Sequence, residues 1–285
     1  MSNRHICIPE LTLKKFNNGG KNNEPLYYYD IANKNIGEAT HACFMTEPDY
    51  YSPDVDKILS DRIETKMGSL YGRIEKAITN KEILPKTIRN LHDIAKKIVA
   101  IQFLRNPDYT RKHTLPHLSV LPYRGRKGAR EYAMKILEDD KKYEGYLNIF
   151  CSVNKLDIYR SMILINTTNR DFFLPTTHLY TIPHIVGIGS DLFVIIISPK
   201  MAWILIQMDD YNKNVKDNNG EVIPRLNTQE GIEIMNYLAY RFESKYGTGK
   251  IVSTQAELKN FNLANYEEFN MMLNSRHSEL FIETH

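Results

Sequence analysis

Apolar residues recur along this chain with two periods, and the change from one to the other organises it. After Ser52-Pro53-Asp54, residues Ile58, Ile63, Met67, Leu70, Ile74 and Ile78 return at three-to-five-residue intervals, close to one helical face. The opening suits a helix: a capping serine, a proline fit for the first turn, and an acid near the positive end. A second helix is expected from near Pro85, carrying Ile88, Leu91, Ile94, Ile98 and Ile101 to about Arg105, where Asn106-Pro107 stops it. Its later half, Ile98 to Leu104, is apolar nearly all round, which predicts a central position. A third helix is expected from about Gly128 to Phe150.

The pattern then shortens. Met162 to Ile165, Phe172 to Leu174, Phe193 to Ile197 and Ala202 to Ile206 read as successive strands. The stretch Leu192 to Met208 is apolar enough to be weighed as a membrane span, but Ser198-Pro199-Lys200 interrupts it. Each half falls well short of the roughly 20 apolar residues a spanning helix needs. Two buried strands joined by a turn are expected, and no membrane partner. Helices return at about Gln229 to Lys245 and near Asn265 to Leu273. The first 50 residues read as short strands and turns, with Leu26-Tyr27-Tyr28-Tyr29 an aromatic strand after the turn-rich Asn17 to Asn23.

Helices and strands are segregated along the chain, which argues for an α+β fold, a helical middle section packed on a mixed, mainly antiparallel sheet. One domain is expected over residues 1–285. It comprises a strand arm (1–51), a helical section (52–151), a strand-rich section (152–210) and a helical tail (226–285). The strand around Tyr27 should pack with the later strands.

Composition alters this picture little. With 42% hydrophobic and 25% charged residues the chain can build an ordinary core, and a net charge of +3 is too small to imply a nucleic-acid partner by itself. Cys7, Cys43 and Cys151 form no CxxC spacing, so neither a disulfide framework nor a zinc site is expected. The N-terminus lacks the apolar region of a secretory signal, and a cytoplasmic location is expected. No cofactor can be named and no metal site is expected.

Chemical candidates are few. Gly247-Thr248-Gly249-Lys250 invites a phosphate-loop reading, but Ser244 stands where an earlier glycine is required and Ile251 where Ser or Thr would bind magnesium. A plain turn is expected. His113 and His117 are four apart with Pro116 between them, and solvated loop histidines are the default. The acid pairs Asp61/Glu64 and Asp139/Asp140 read as solvated helix faces. His178, after a probable strand, is better placed for a site, because a strand end presents a polar side chain from a rigid frame. Between Arg105 and Arg130 lie seven Lys and Arg (Arg105, Arg111, Lys112, Arg124, Arg126, Lys127, Arg130), one acid, Asp108, and the interleaved Tyr109 and Tyr123. Such a mixture suits phosphate contact with base stacking, and a solvated basic loop has the same composition.

The opening Arg4-His5-Ile6-Cys7-Ile8-Pro9-Glu10-Leu11-Thr12-Leu13-Lys14-Lys15-Phe16 resembles that of the bacterial "domain of unknown function 4238" family, matching at His5, Pro9, Leu13 and Phe16. A tyrosine strand, Asp49-Tyr50-Tyr51, a helix pair ending in Phe103-Leu104-Arg105 and a late strand ending in Ser198-Pro199 follow the family's order, over residues 4 to 255. Two departures matter. The family's second histidine falls on Ile6, and its Ser-Asp-Asn-Pro segment falls on Pro175-Thr176-Thr177-His178, without the acid. The resemblance implies a role in anti-phage defence, and it offers no established reaction.

Two functions follow as expectations. One is a nucleic-acid-binding toxic effector contacting phosphates through Arg105, Arg124, Arg126 and Lys127. The other is a non-enzymatic sensor or protein-interaction module with a partner encoded nearby. No catalytic constellation is legible. Should a site exist, His5, Thr177 and His178 are the candidates, expected to meet in a partly exposed pocket; the alternative is that His5 only ties down the N-terminal arm through a backbone hydrogen bond.

Overall fold

The computed structural model describes residues 3–5, 8–17, 25–48, 52–79, 85–105, 125–153, 155–182, 192–209, 225–226 and 228–282. The N-terminal arm holds β1 (Asn3–His5), α1 (Glu10–Leu13), β2 (Leu26–Asp30), β3 (Asn35–Ala39) and β4 (Thr46–Pro48). The helical section follows as α2 (Pro53–Leu59), a π-turn (Ser60–Glu64), α3 (Thr65–Thr79), α4 (Pro85–Arg105), α5 (Gly125–Leu137) and α6 (Asp140–Val153). A 3₁₀ turn (Leu156–Ile158) leads to β5 (Tyr159–Asn166), β6 (Leu174–Pro175), β7 (Leu179–Ile182), β8 (Leu192–Ser198), β9 (Met201–Gln207) and β10 (Arg225–Leu226). The remainder is α7 (Gln229–Tyr246), β11 (Lys250–Ser253), α8 (Gln255–Lys259) and α9 (Leu263–Ile282). The fold is α+β, with the helical section preceding most of the strands.

The strands divide into two sheets and a ribbon, where a single sheet was expected. One sheet has the order β10-β5-β9-β8-β7, antiparallel except for the parallel β10–β5 pair. The other has the order β3-β2-β11-β6 and is antiparallel throughout. β1 and β4 form the ribbon. The tyrosine strand does join later strands: Tyr28 stands opposite Val252, and Val252 opposite Leu174.

The doubtful apolar stretch is a hairpin. β8 and β9 flank the Pro199-Lys200 turn, and Leu192–Ile197 and Met201–Ile206 are all buried. Burying each large aliphatic side chain contributes on the order of 1.5–3 kcal/mol, so this hairpin anchors its sheet. Among the described residues no helix is long and apolar enough to cross a membrane.

α4 packs on β5, α3 and α6, and every residue from Ile98 to Arg105 is buried. Its all-round apolar half therefore does mark a central helix. The third expected helix is two helices. Asp139 accepts the backbone N–H groups of Lys141 and Lys142 at 2.9 and 3.1 Å on one carboxylate oxygen, so it caps α6 and ends the run from α5. The Asp139/Asp140 pair is thus a helix start and not merely a solvated face.

Candidate functional site

β6 belongs to one sheet and β7 to the other, so residues 176–178 form the corner where the chain changes sheets. The His178 N–H closes the corner on the Pro175 carbonyl at 2.9 Å, and His178 itself takes a left-handed φ of 63°. That conformation is uncommon outside glycine, with histidine among the residues that adopt it more often. Thr176, Thr177 and His178 are 1%, 2% and 0% exposed. The partly exposed pocket expected here is therefore corrected to a sealed polar corner.

Two sets of side chains hold it. Gln102 Nε2, from α4, lies 3.0 Å from His178 Nδ1, and Thr12 Oγ1, from α1, lies 3.4 Å from Nε2. With the amide donating, Nδ1 accepts and the ring proton sits on Nε2. The Ile196 backbone lies near enough to the ring to favour its protonated form slightly. Burial, helped by the Arg105 charge, pushes the imidazole pKa down to about 3, so it is neutral. Both ring nitrogens are engaged inside the fold. Around them, Tyr71 Oη and Gln102 Oε1 are buried without a hydrogen-bond partner.

The second set comes from α7. Glu243 is fully buried, and one of its carboxylate oxygens accepts from Thr176 Oγ1, Gly249 N (2.9 Å) and Lys250 N (3.2 Å). The other accepts from Thr177 N at 3.4 Å. Burial raises its pKa while the four donors pull it back, which keeps this carboxyl tied to the fold. Two helical turns earlier on the same face, Asn236 accepts from Phe173 N at 2.8 Å and donates to the Asp171 carbonyl at 2.9 Å. Seven helical residues advance about 10 Å, and so do three to four extended residues. α7 therefore clamps the incoming strand at both ends.

This geometry also explains Gly247-Thr248-Gly249-Lys250. Two of its N–H groups do meet a carboxyl group, but it is the chain's own Glu243. Gly249 has φ 85°, and a Cβ on Gly247 would stand 2.1 Å from the Glu243 carboxyl. The motif is the turn from α7 into β11.

Arg105, expected to contact phosphate, is corrected likewise. It is 4% exposed, with its guanidinium 3.5 Å from Glu64, which the π-turn carries. A guanidinium so placed serves the core side of α4. Arg124 lies outside the described residues, as do the side chains of His5, Arg126 and Lys127, and His113 and His117. The backbone of Arg126 and Lys127 forms the opening turn of α5, a turn without an acid.

Two contributors carried a sequence signal that went unread. Gln102 interrupts the apolar run from Ile98 to Leu104, and Glu243 falls on the apolar stripe of α7 between Ala239 and Tyr246. Thr12 carried none. No group of three or more His, Cys, Asp and Glu side chains able to hold a metal converges among the described residues. No family model, curated protein or solved structure matches the chain.

Proposed function

We propose that this chain serves bacterial defence against phage as a non-enzymatic sensor or protein-interaction module. The defence setting rests on the resemblance of its opening, and of the order of its later sequence motifs, to the 4238 family. Action by binding is supported by one observation: the polar corner that the resemblance marks out is spent on the fold. His178 is 0% exposed, neutral and bonded at both nitrogens, so it has neither an open face nor a free lone pair to offer a substrate. To test the reading, cells carrying the chain are challenged with a phage panel and escape mutants are sequenced. Escape changes should fall in one phage coding sequence whose product binds the purified chain. A chain that protects against no phage, or that protects without such binding, contradicts it.

A second reading, a nucleic-acid-binding toxic effector, is favoured by the opening of α5. Arg126 and Lys127 fall in a first turn without an acid, where the helix dipole already carries partial positive charge and an anion is the natural complement. Arg124 stands just before it. Steep salt dependence of oligonucleotide binding supports this reading, and no binding at low salt removes it.

A further inference from the structure

The described surface carries five large exposed hydrophobic residues, and three of them fall in the end of α6 and the 3₁₀ turn after it: Ile149 (51% exposed), Val153 (57%) and Ile158 (45%). Ile149 and Val153 are four apart on a helix and so share a face. Ile158 lies in the 3₁₀ turn that packs against α6. Single exposed aliphatics are ordinary on a protein surface, but branched side chains gathered at one helix end are not explained by the core.

The charges around them are unbalanced. Lys96, Lys97 and Asp157 all act on the half-buried Cys151 thiol, which lies between Ile149 and Val153 in the chain. Lys96, Arg160, Asp93 and Asp157 act on His92. Both carboxylates are committed to one cation: Lys96 lies 2.8 Å from Asp157 and 3.6 Å from Asp93. Among the described residues Arg160 reaches the Tyr159 carbonyl at 3.3 Å and the Met208 sulfur at 3.7 Å, and no carboxylate. Lys97 and Lys155 are exposed and have no carboxylate partner among the described residues. Among the described residues four cations (Lys96, Lys97, Lys155 and Arg160) thus face two carboxylates, which leaves the neighbourhood of the three exposed aliphatic side chains net positive.

We infer that the end of α6, with the 3₁₀ turn and the start of β5, is a docking surface for a protein segment that is acidic and carries aliphatic anchors. Ile149, Val153 and Ile158 cover the anchors, while Lys97, Lys155 and Arg160 meet the acidic flank. Apolar burial supplies the affinity, and the charges select the partner and speed the encounter. This deepens the interaction-module reading and rests on it for its biological purpose, but the surface can be tested alone.

The probe is a labelled synthetic helical peptide with leucines at i, i+3, i+4 and i+7 and glutamates elsewhere, set against the same peptide with lysines. Fluorescence anisotropy with the full chain should show the acidic peptide binding at least about tenfold more tightly. The double variant Ile149→Glu/Val153→Glu should weaken that binding by about tenfold or more with an unchanged melting temperature, since exposed positions contribute little to stability. Arg160→Glu should reduce the preference for the acidic peptide. Equal binding of the two peptides overturns the inference, as does indifference to the double variant. Displacement by a mixed-sequence oligonucleotide assigns the surface to nucleic acid, and dimerisation through it in sedimentation velocity assigns it to a second copy; either result overturns the proposal. Phage protection separates the two levels. If the double variant loses the peptide but still protects, the surface stands and the interaction-module reading fails.

Discussion

Gln102 and His178 are 76 residues apart in the chain, and Gln102 Nε2 meets His178 Nδ1 at 3.0 Å inside the core. That contact joins the buried end of α4 to the corner where the chain leaves one sheet for the other. Removing either partner leaves the other buried and unsatisfied, which costs about 1–3 kcal/mol. A double-mutant cycle of Gln102→Ala and His178→Ala should therefore show coupling of about 0.5–3 kcal/mol in denaturant unfolding. Additive effects would mean that the two side chains do not support each other.

The pH dependence follows from the same burial. His178 titrates at about 3 in the fold, below its ordinary value near 6.5, so the unfolded chain binds the extra proton between these values. Its contribution is fully present above about pH 6.5 and is lost as pH falls toward 3. Glu243 shifts in the opposite sense, and subtracting a variant cancels it. The stability gap between wild type and His178→Gln should accordingly narrow between pH 7.5 and pH 4.5 in urea unfolding curves. A constant gap would contradict a neutral, buried imidazole.

Much of the fold was legible because its signals are local. Pro85 and Asn106-Pro107 bracket α4 closely, and Pro199-Lys200 marks the hairpin. What escaped depends on distant partners. β11 and β7 are four residues each, and β6 is two; they are strands only because β2, β8 and β11 lie beside them in turn. The sequence singled out the polar segment ending at His178, as a candidate site and not as a corner. Its burial was not legible, because Thr12, Gln102 and Glu243 reach it from 166, 76 and 66 to 67 residues away.

The Glu243 cradle yields a third expectation. Glu243→Ala strands four donors in the core and should cost about 2–4 kcal/mol. Gly247→Ala, which presses a methyl group on that carboxyl, should cost about 1–3 kcal/mol. Thermal melts should register each as a drop of several degrees. A Gly247→Ala protein as stable as wild type would show that the cradle yields.

The basic opening of α5 carries a fourth. Replacing Arg124, Arg126 and Lys127 with alanine should weaken oligonucleotide binding and flatten the salt slope by about one unit per lost phosphate contact. Stability should change by less than about 1 kcal/mol, as for exposed charges generally. An unchanged slope would locate any nucleic-acid contact elsewhere.

The central claim is that the Thr176–His178 corner holds the fold and performs no chemistry. Phage protection and melting temperature, measured side by side for wild type, His178→Gln and Thr177→Ser, test it most directly. The account predicts that protection declines only in step with the melting temperature and returns when cells are grown cool enough for the variants to fold. A His178→Gln protein that melts like wild type yet gives no protection at any temperature would contradict it and return His178 to the role of a functional group.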